Sequence, residues 1–328
     1  MSRAQGQGRG AKRKRRSALS LVPFLLSPSH LITLAVILLL PVDAPADRMT
    51  AVASIFPLYE FAVQVGGDKL EAAILIPPGS EPHTWDPRPS DIVRLGSADI
   101  FIYVGDRMEP WAAELLRSLG DRMPAVLRMD TIPTSRSPAQ SERGKPREEG
   151  GIALDPHIWL DFGKSVEFVG KIADTLSKLD PSNASHYRAG AQDYSRVLED
   201  LDRRFARGLA SCRRRIFVTG GHGAFGHLAA RYGLTQLPIY GLSPDSEPSP
   251  RYISDIIRTM SQEGIKVLYF EELISPRLAE VIARETGARS LVLHPGGNLT
   301  GRQWREGVTF VSLMERNLEN LREGLECE

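Results

Sequence analysis

Cysteine is almost missing from this sequence, with Cys212 and Cys327 the only two in 328 residues. Two thiols are too few to staple a fold of this size, so the chain must be held by a hydrophobic core. More than a hundred residues separate them, and the sequence leaves open whether they pair. Familiar catalytic signatures are missing too. There is no H-E-x-x-H pair, no G-x-S-x-G elbow and no G-x-x-x-x-G-K-[ST] loop, the usual marks of zinc peptidases, serine hydrolases and P-loop ATPases. An excess of either charge is also lacking, since 41 basic and 40 acidic residues leave a net charge of +1. That balance conceals an uneven distribution. Residues 1–46 hold seven basic residues and one acidic residue, and the rest of the chain holds 34 basic against 39 acidic. A body of net negative charge repels phosphate, which argues against a nucleic-acid partner.

What the first 46 residues do contain is ordered like an address. Lys12 to Arg16 are all basic, Ser17 to Val42 carry no formal charge, and Ala44-Pro45-Ala46 supplies small residues at the −3 and −1 positions of a cleavage site. A basic start, a short apolar core at Leu31–Leu40 and an A-x-A end describe a signal peptide over 1–46. The apolar core is shorter than the roughly 20 residues a membrane-spanning helix needs. Counted from Ser17 the uncharged stretch is long enough to anchor, although Pro23 and Pro28 interrupt it. Arg15-Arg16 leaves a twin-arginine export signal open, and no cysteine follows the apolar core to carry a lipid. The expected location is periplasmic or otherwise extracytoplasmic.

From Thr50 onward, short apolar runs alternate with helical periodicity. Strands are expected at Thr50–Ile55, Leu70–Ile76, Ile100–Val104 and Val126–Met129, and again at Arg215–Thr219, Gln236–Tyr240, Lys266–Glu271 and Ser290–Leu293. Helices are expected at Pro57–Val65, Ser90–Leu95 and Glu109–Leu119. In the second half they fall at Ala224–Tyr232, Pro250–Glu263, Pro276–Thr286 and Trp304–Leu325. Such alternation implies α/β lobes with doubly wound parallel sheets. Between the halves Tyr187, Ala191, Tyr194, Leu198, Leu201 and Phe205 recur at steps of three and four, one apolar face of a helix from Pro181 to about Leu209. Asp180 and Pro181 suit its start. Residues 132–151 show no apolar periodicity and read as a mobile surface loop.

The seven histidines separate by context. His30 lies in the signal segment and His186 on the polar side of the long helix. His83, in Pro82-His83-Thr84-Trp85-Asp86-Pro87, and His157, in Asp155-Pro156-His157-Ile158-Trp159, belong to the first half. His222 follows the first strand of the second half, and His294 closes its last strand before Pro295-Gly296-Gly297. All four occupy loops or strand ends, where parallel sheets present ligand-contacting residues. Imidazole suits zinc, copper and nickel, and three or four neutral nitrogens around one ion is an ordinary zinc arrangement. His227 lies five residues past His222 and cannot share its helical face, so it is expected to support or pack.

These residues resemble those of the metal-binding, solute-capturing proteins of bacterial ABC importers for zinc and manganese. The shared pieces include Ser54-Ile55-Phe56-Pro57, Pro82-His83-Thr84-Trp85-Asp86-Pro87, Glu109-Pro110-Trp111, Asp155-Pro156-His157-Ile158-Trp159-Leu160-Asp161, His222-Gly223-Ala224-Phe225 and Glu247-Pro248-Ser249. Their order and spacing extend from about Thr50 to Leu299. The resemblance implies two doubly wound parallel-sheet lobes joined by one long rigid helix, with metal held between them. On that basis the chain divides into the signal peptide, a first lobe at 47–162, connecting helices at 163–210 and a second lobe at 211–328.

Ligands carry over from the family at His83, His157 and His222, and histidine at the third position points to zinc over manganese. At the fourth position the family usually has aspartate in an Asp-Pro pair, and here the pair is His294-Pro295. His294 is the expected fourth ligand, with water or a carboxylate as the other occupant of that place. Asp155, Glu247 and Glu271 are candidates to orient imidazoles and offset charge. The insert at 132–151 stands where zinc-type relatives carry a histidine-rich segment, but it holds no histidine. The implied role is capture of zinc by a monomer and delivery to a membrane permease powered by a separate ATPase. An exported zinc-dependent hydrolase is the alternative, because three histidines and an open position also describe a catalytic zinc.

Overall fold

The computed structural model of the protein describes residues 48–133, 155–242 and 248–328. The expected signal peptide, nearly all of the 132–151 insert, and Glu247 lie outside the described residues. Two four-stranded sheets, each wholly parallel, form as the alternation implies. The first joins β1 (Met49–Ala53), β2 (Leu70–Ile74), β3 (Ile100–Tyr103) and β4 (Ala125–Arg128) in the order β2-β1-β3-β4. The second joins β5 (Ile216–Thr219), β6 (Thr235–Pro238), β7 (Val267–Phe270) and β8 (Arg289–Val292) in the order β6-β5-β7-β8. All four residues of β3 are buried, as expected for an inner strand covered on both faces. In each sheet the strand order reverses between its first and third strands, the place where α/β sheets open a crevice at their strand ends.

The long helix runs from Ala184 to Gly208 and buries Tyr187, Ala191, Tyr194, Leu198, Leu201 and Phe205, the face its sequence spacing marks out. Its 25 residues correspond to about 37 Å. It begins three residues later than expected, because Pro181–Asn183 form a 3-10 turn. Asp180 fastens that turn by accepting from Asn183 Nδ2 and Tyr187 Oη, both at 2.7 Å. An 18-residue helix, Phe162–Leu179, packs against the long one and was not separately resolved by the sequence pattern. Asp161 caps it by accepting from Gly163 N and Lys164 N.

The expected helix Trp304–Leu325 is two helices, Gly301–Arg305 and Phe310–Gly324. Gly307 separates them at φ +68°, a conformation that glycine adopts without steric cost, and Thr309 caps the second by accepting from Ser312 N. Helix Phe310–Gly324 lies against both the long helix and helix Phe56–Gly66. Glu60 makes the join: it accepts from Phe310 N at 2.7 Å and from Tyr194 Oη at 2.9 Å. Burial raises its carboxyl above the usual range despite those bonds. Helix Glu109–Leu119 also starts late, at Ala112. Glu109 is instead buried beneath the β3 loop, accepting from Ser54 Oγ, Val104 N and Gly105 N. Cys212 and Cys327 form a disulfide that ties the C-terminal end to the entry of the second sheet.

The segment after β8 is stitched to the first sheet's loops. Phe56 N donates to Gly297 O at 3.0 Å, Gly79 N to Leu299 O at 2.7 Å, and Trp159 Nε1 to Pro295 O at 2.8 Å. Asn298 Nδ2 donates to both Pro77 O and Ser80 O at 2.9 Å. Among the described residues, no helix is long and apolar enough to cross a membrane.

Candidate metal centre

Three of the four expected histidines converge. His83 sits on the 3-10 turn Pro82–Thr84 beyond β2, where Glu81 accepts from its backbone N–H. His157 precedes the turn Ile158–Leu160. Asp155 Oδ1 accepts from His157 twice, from the backbone N at 3.0 Å and from Nδ1 at 2.7 Å. His222 follows β5 and repeats the device with a partner 49 residues away: Glu271 Oε1 accepts from its N at 2.8 Å and lies 3.1 Å from its Nδ1. Gly221 makes that approach possible, because a Cβ there would stand 1.7 Å from Glu271 Oε1.

The carboxylates settle which nitrogen faces inward. An ionised carboxylate only accepts, so Nδ1 of His157 and Nδ1 of His222 carry the hydrogens and each Nε2 presents a lone pair. His157 Nε2 lies 3.0 Å from His222 Nε2 and 3.1 Å from His83 Nε2, and the three ring centroids stand 4.9 to 5.2 Å apart. Lone pairs gathered so closely repel unless a cation or proton stands among them. Nitrogens bonded to a tetrahedral zinc at 2.0–2.1 Å would lie roughly 3.3–3.4 Å apart, a few tenths wider than observed. The trio therefore fits a zinc-sized ion, and neutral imidazoles favour zinc over the harder manganese. Asp155 and Glu271 stand directly behind two of the rings, so their charges offset that of a divalent ion.

Burial keeps most of this cluster neutral. It pushes His83 down to about 2, helped by His157 and His222. His157 is also lowered by burial, which its bond to Asp155 only partly offsets. His222 goes the other way: burial opposes its charge, but Glu271 holds it above the ordinary value. Burial works against the Asp155 carboxylate, yet His157 and His227 hold its pKa below the usual range.

His294 stands apart from this group, whose nitrogens all lie within 4.8 Å of one another. It lines the same cavity of about 20 Å³ and is 4% exposed. Its backbone is clamped by Asn317, which accepts from His294 N at 2.8 Å and donates to His294 O at 2.7 Å. Its Nδ1 accepts from Gly296 N at 2.9 Å, and its buried Nε2 has no hydrogen-bond partner. The expected supporting role of His227 has a concrete form in its Nε2, 3.0 Å from Asp155 O. His186, on the long helix, instead contacts Gly66 O at the end of helix Phe56–Gly66.

Sequence reasoning overlooked Glu272 and Asn317. Glu272 lines the cavity and is held by Gln303 Nε2 at 2.6 Å; its position beside Glu271 at a strand end was the available signal. Asn317 is fully buried in the apolar face Leu313, Met314, Leu318 and Leu321. A lone amide in such a face signals a polar partner it must satisfy.

Two wholly parallel sheets thus bring three imidazoles to one cavity, an arrangement that could hold a metal ion. The chain belongs to the family of the zinc-uptake complex component A, periplasmic, which matches residues 51–324. It is 33% identical over 286 residues to the high-affinity zinc uptake system protein ZnuA of Bacillus subtilis, covering 86% of this chain and 89% of that one. It is 34% identical over 287 residues to the zinc-binding protein AdcA of Streptococcus pyogenes, covering 84% of this chain but 56% of that protein. The chain thus spans about half the length of the AdcA proteins it matches. The crystal structure of the Zn(II)-bound ZnuA-like domain of Streptococcus pneumoniae AdcA superposes with a TM-score of 0.72 at 32% identity, over 85% of this chain and 99% of that one.

Proposed function

We propose that this protein captures zinc outside the cytoplasm through His83, His157 and His222 and delivers it to the permease of an ABC importer. The observation that carries this reading is the convergence of three Nε2 atoms from both halves of the chain, two of them backed by carboxylates. Zinc is cargo here, and the protein is a binding component without catalysis of its own. The family's description as a periplasmic part of zinc uptake supports the extracytoplasmic location. Export would use residues 1–46 as a signal peptide, and transport energy would come from a separate ATPase.

The chain acts as a monomer with a first lobe at 47–162, connecting helices at 163–210 and a second lobe at 211–328, whose last helix returns to pack on the connecting helix. The long helix and the bonds of the 295–299 segment to the first lobe's loops favour small tilts over wide closure. The experiment is thermal unfolding of the exported chain with and without zinc. At a thousandfold excess over Kd, zinc should add about 4 kcal/mol of stability, and His83→Ala, His157→Ala or His222→Ala should remove most of that gain. An undiminished gain in all three variants contradicts the reading. Chelator-sensitive turnover of ester or phosphate substrates would favour the hydrolase alternative instead.

A further inference from the structure

Three imidazoles leave one position of a tetrahedral zinc to be filled. His294 lies on the wall of the same cavity, but its ring is wired in the opposite sense to those of His157 and His222. A backbone N–H can only donate, so the 2.9 Å bond from Gly296 N makes His294 Nδ1 an acceptor. The neutral ring then carries its hydrogen on Nε2. Binding a metal through Nε2 would require that hydrogen to move to Nδ1, where it would face the Gly296 N–H head-on. The Asn317 clamp on His294 N and O fixes the backbone from which that ring projects.

The Nε2–H of His294 is buried and without a partner, and a buried donor left unpaired is costly. Glu272 Oε2 is 3.9 Å away, too far to take the hydrogen directly. The cavity, at about 20 Å³, exceeds the roughly 10–15 Å³ that a single water requires. We infer that His294 is not a zinc ligand but a hydrogen-bond donor to an exogenous oxygen, water or hydroxide, that completes the zinc coordination. This inference rests on zinc capture by the trio. Such a water uses one lone pair on zinc, accepts from His294 Nε2–H with the other, and has a hydrogen to give to Glu272. The buried His294 Nε2–H is then satisfied without a fourth protein ligand. His294 is a positioning residue that admits an oxygen acceptor and keeps the fourth place exchangeable.

Long-range ¹H–¹⁵N correlation spectra of the ¹⁵N-histidine-labelled, zinc-loaded exported chain test this, with His294→Gln and His294→Leu assigning the resonance. The expected result is that His83, His157 and His222 show zinc-shifted Nε2 with hydrogen on Nδ1, while His294 shows hydrogen on Nε2 and a resonance that moves on zinc loading. His294→Leu should weaken zinc binding about tenfold, the low end for an outer partner of a metal ligand, and His294→Gln, which keeps an N–H donor, should recover most of it. A metal-shifted His294 Nε2 with hydrogen on Nδ1 overturns the inference, as does an unchanged affinity in His294→Leu. Absence of zinc shifts at the trio would instead overturn zinc capture itself, so the two failures are distinguishable.

Discussion

The two sheets share one strand order and supply the candidate site from different places. The first lobe sends His83 from beyond β2 and His157 from beyond β4, whereas the second sends His222 from the end of β5 and His294 from the end of β8. Equivalence of fold is therefore not equivalence of role. His157 and His222 come from different lobes, yet each has its backbone N–H and its Nδ1 on one carboxylate. His222 and His294 come from the same sheet and are wired oppositely, one donating from Nδ1 and the other accepting there. What stands behind the ring, and not its place at a strand end, determines whether Nε2 offers a lone pair or a hydrogen.

The largest expected effect tests the convergence of the lobes. Removing a ring with His157→Ala or His222→Ala should lower zinc affinity by more than the roughly 10–100-fold typical of losing an outer partner, as read by competition with a chromophoric chelator. Retained affinity in His222→Ala would leave the second lobe without a part in the trio, and retained affinity in His157→Ala would leave the first lobe represented by His83 alone. The carboxylates come next: Asp155→Asn and Glu271→Gln should each cost about 10–100-fold. Similar losses would sharpen the symmetry between the lobes, and a silent variant would break it.

Acidity separates the lobes more finely. His83 and His157 are depressed by burial, so their contributions to the stability of the zinc-free protein are complete above about pH 6.5 and decline as the pH falls below it. His222, raised by Glu271 against its burial, has the opposite sign: its contribution is present below about pH 6.5 and is lost as the pH rises through its folded value. In an NMR titration of the zinc-free protein His222 should therefore take the first proton, and zinc affinity should begin to fall while His83 and His157 are still neutral. A first proton on His83 would refute this. The smallest effect on the site is expected from the disulfide. Cys212→Ser with Cys327→Ser opens a loop spanning 115 residues, worth up to about 5 kcal/mol in denaturant unfolding, with zinc affinity unchanged wherever the chain remains folded.

Much of this was legible because it is local. The six buried positions of the long helix follow from steps of three and four, and strands such as Ile100–Tyr103 are uninterrupted apolar runs. Asp155 stands two residues before His157, so its bond to that ring is nearly written in the chain. The break at Gly307 was hidden because apolar residues on both sides keep helical spacing through it, and only the backbone turn and the Thr309 cap reveal two helices. Glu271 and Asn317 reach their histidines across 49 and 23 residues, distances over which a single sequence carries no pairing signal. The opposite wiring of His294 depends on one backbone N–H two residues downstream, and residue type alone does not encode it.

The most direct measurement is anomalous diffraction at the zinc edge from crystals of the zinc-loaded exported chain. A single strong peak bonded at 2.0–2.1 Å to Nε2 of His83, His157 and His222 together is the expected result. A peak bonded through any Nδ1, or to residues of only one lobe, would contradict the account.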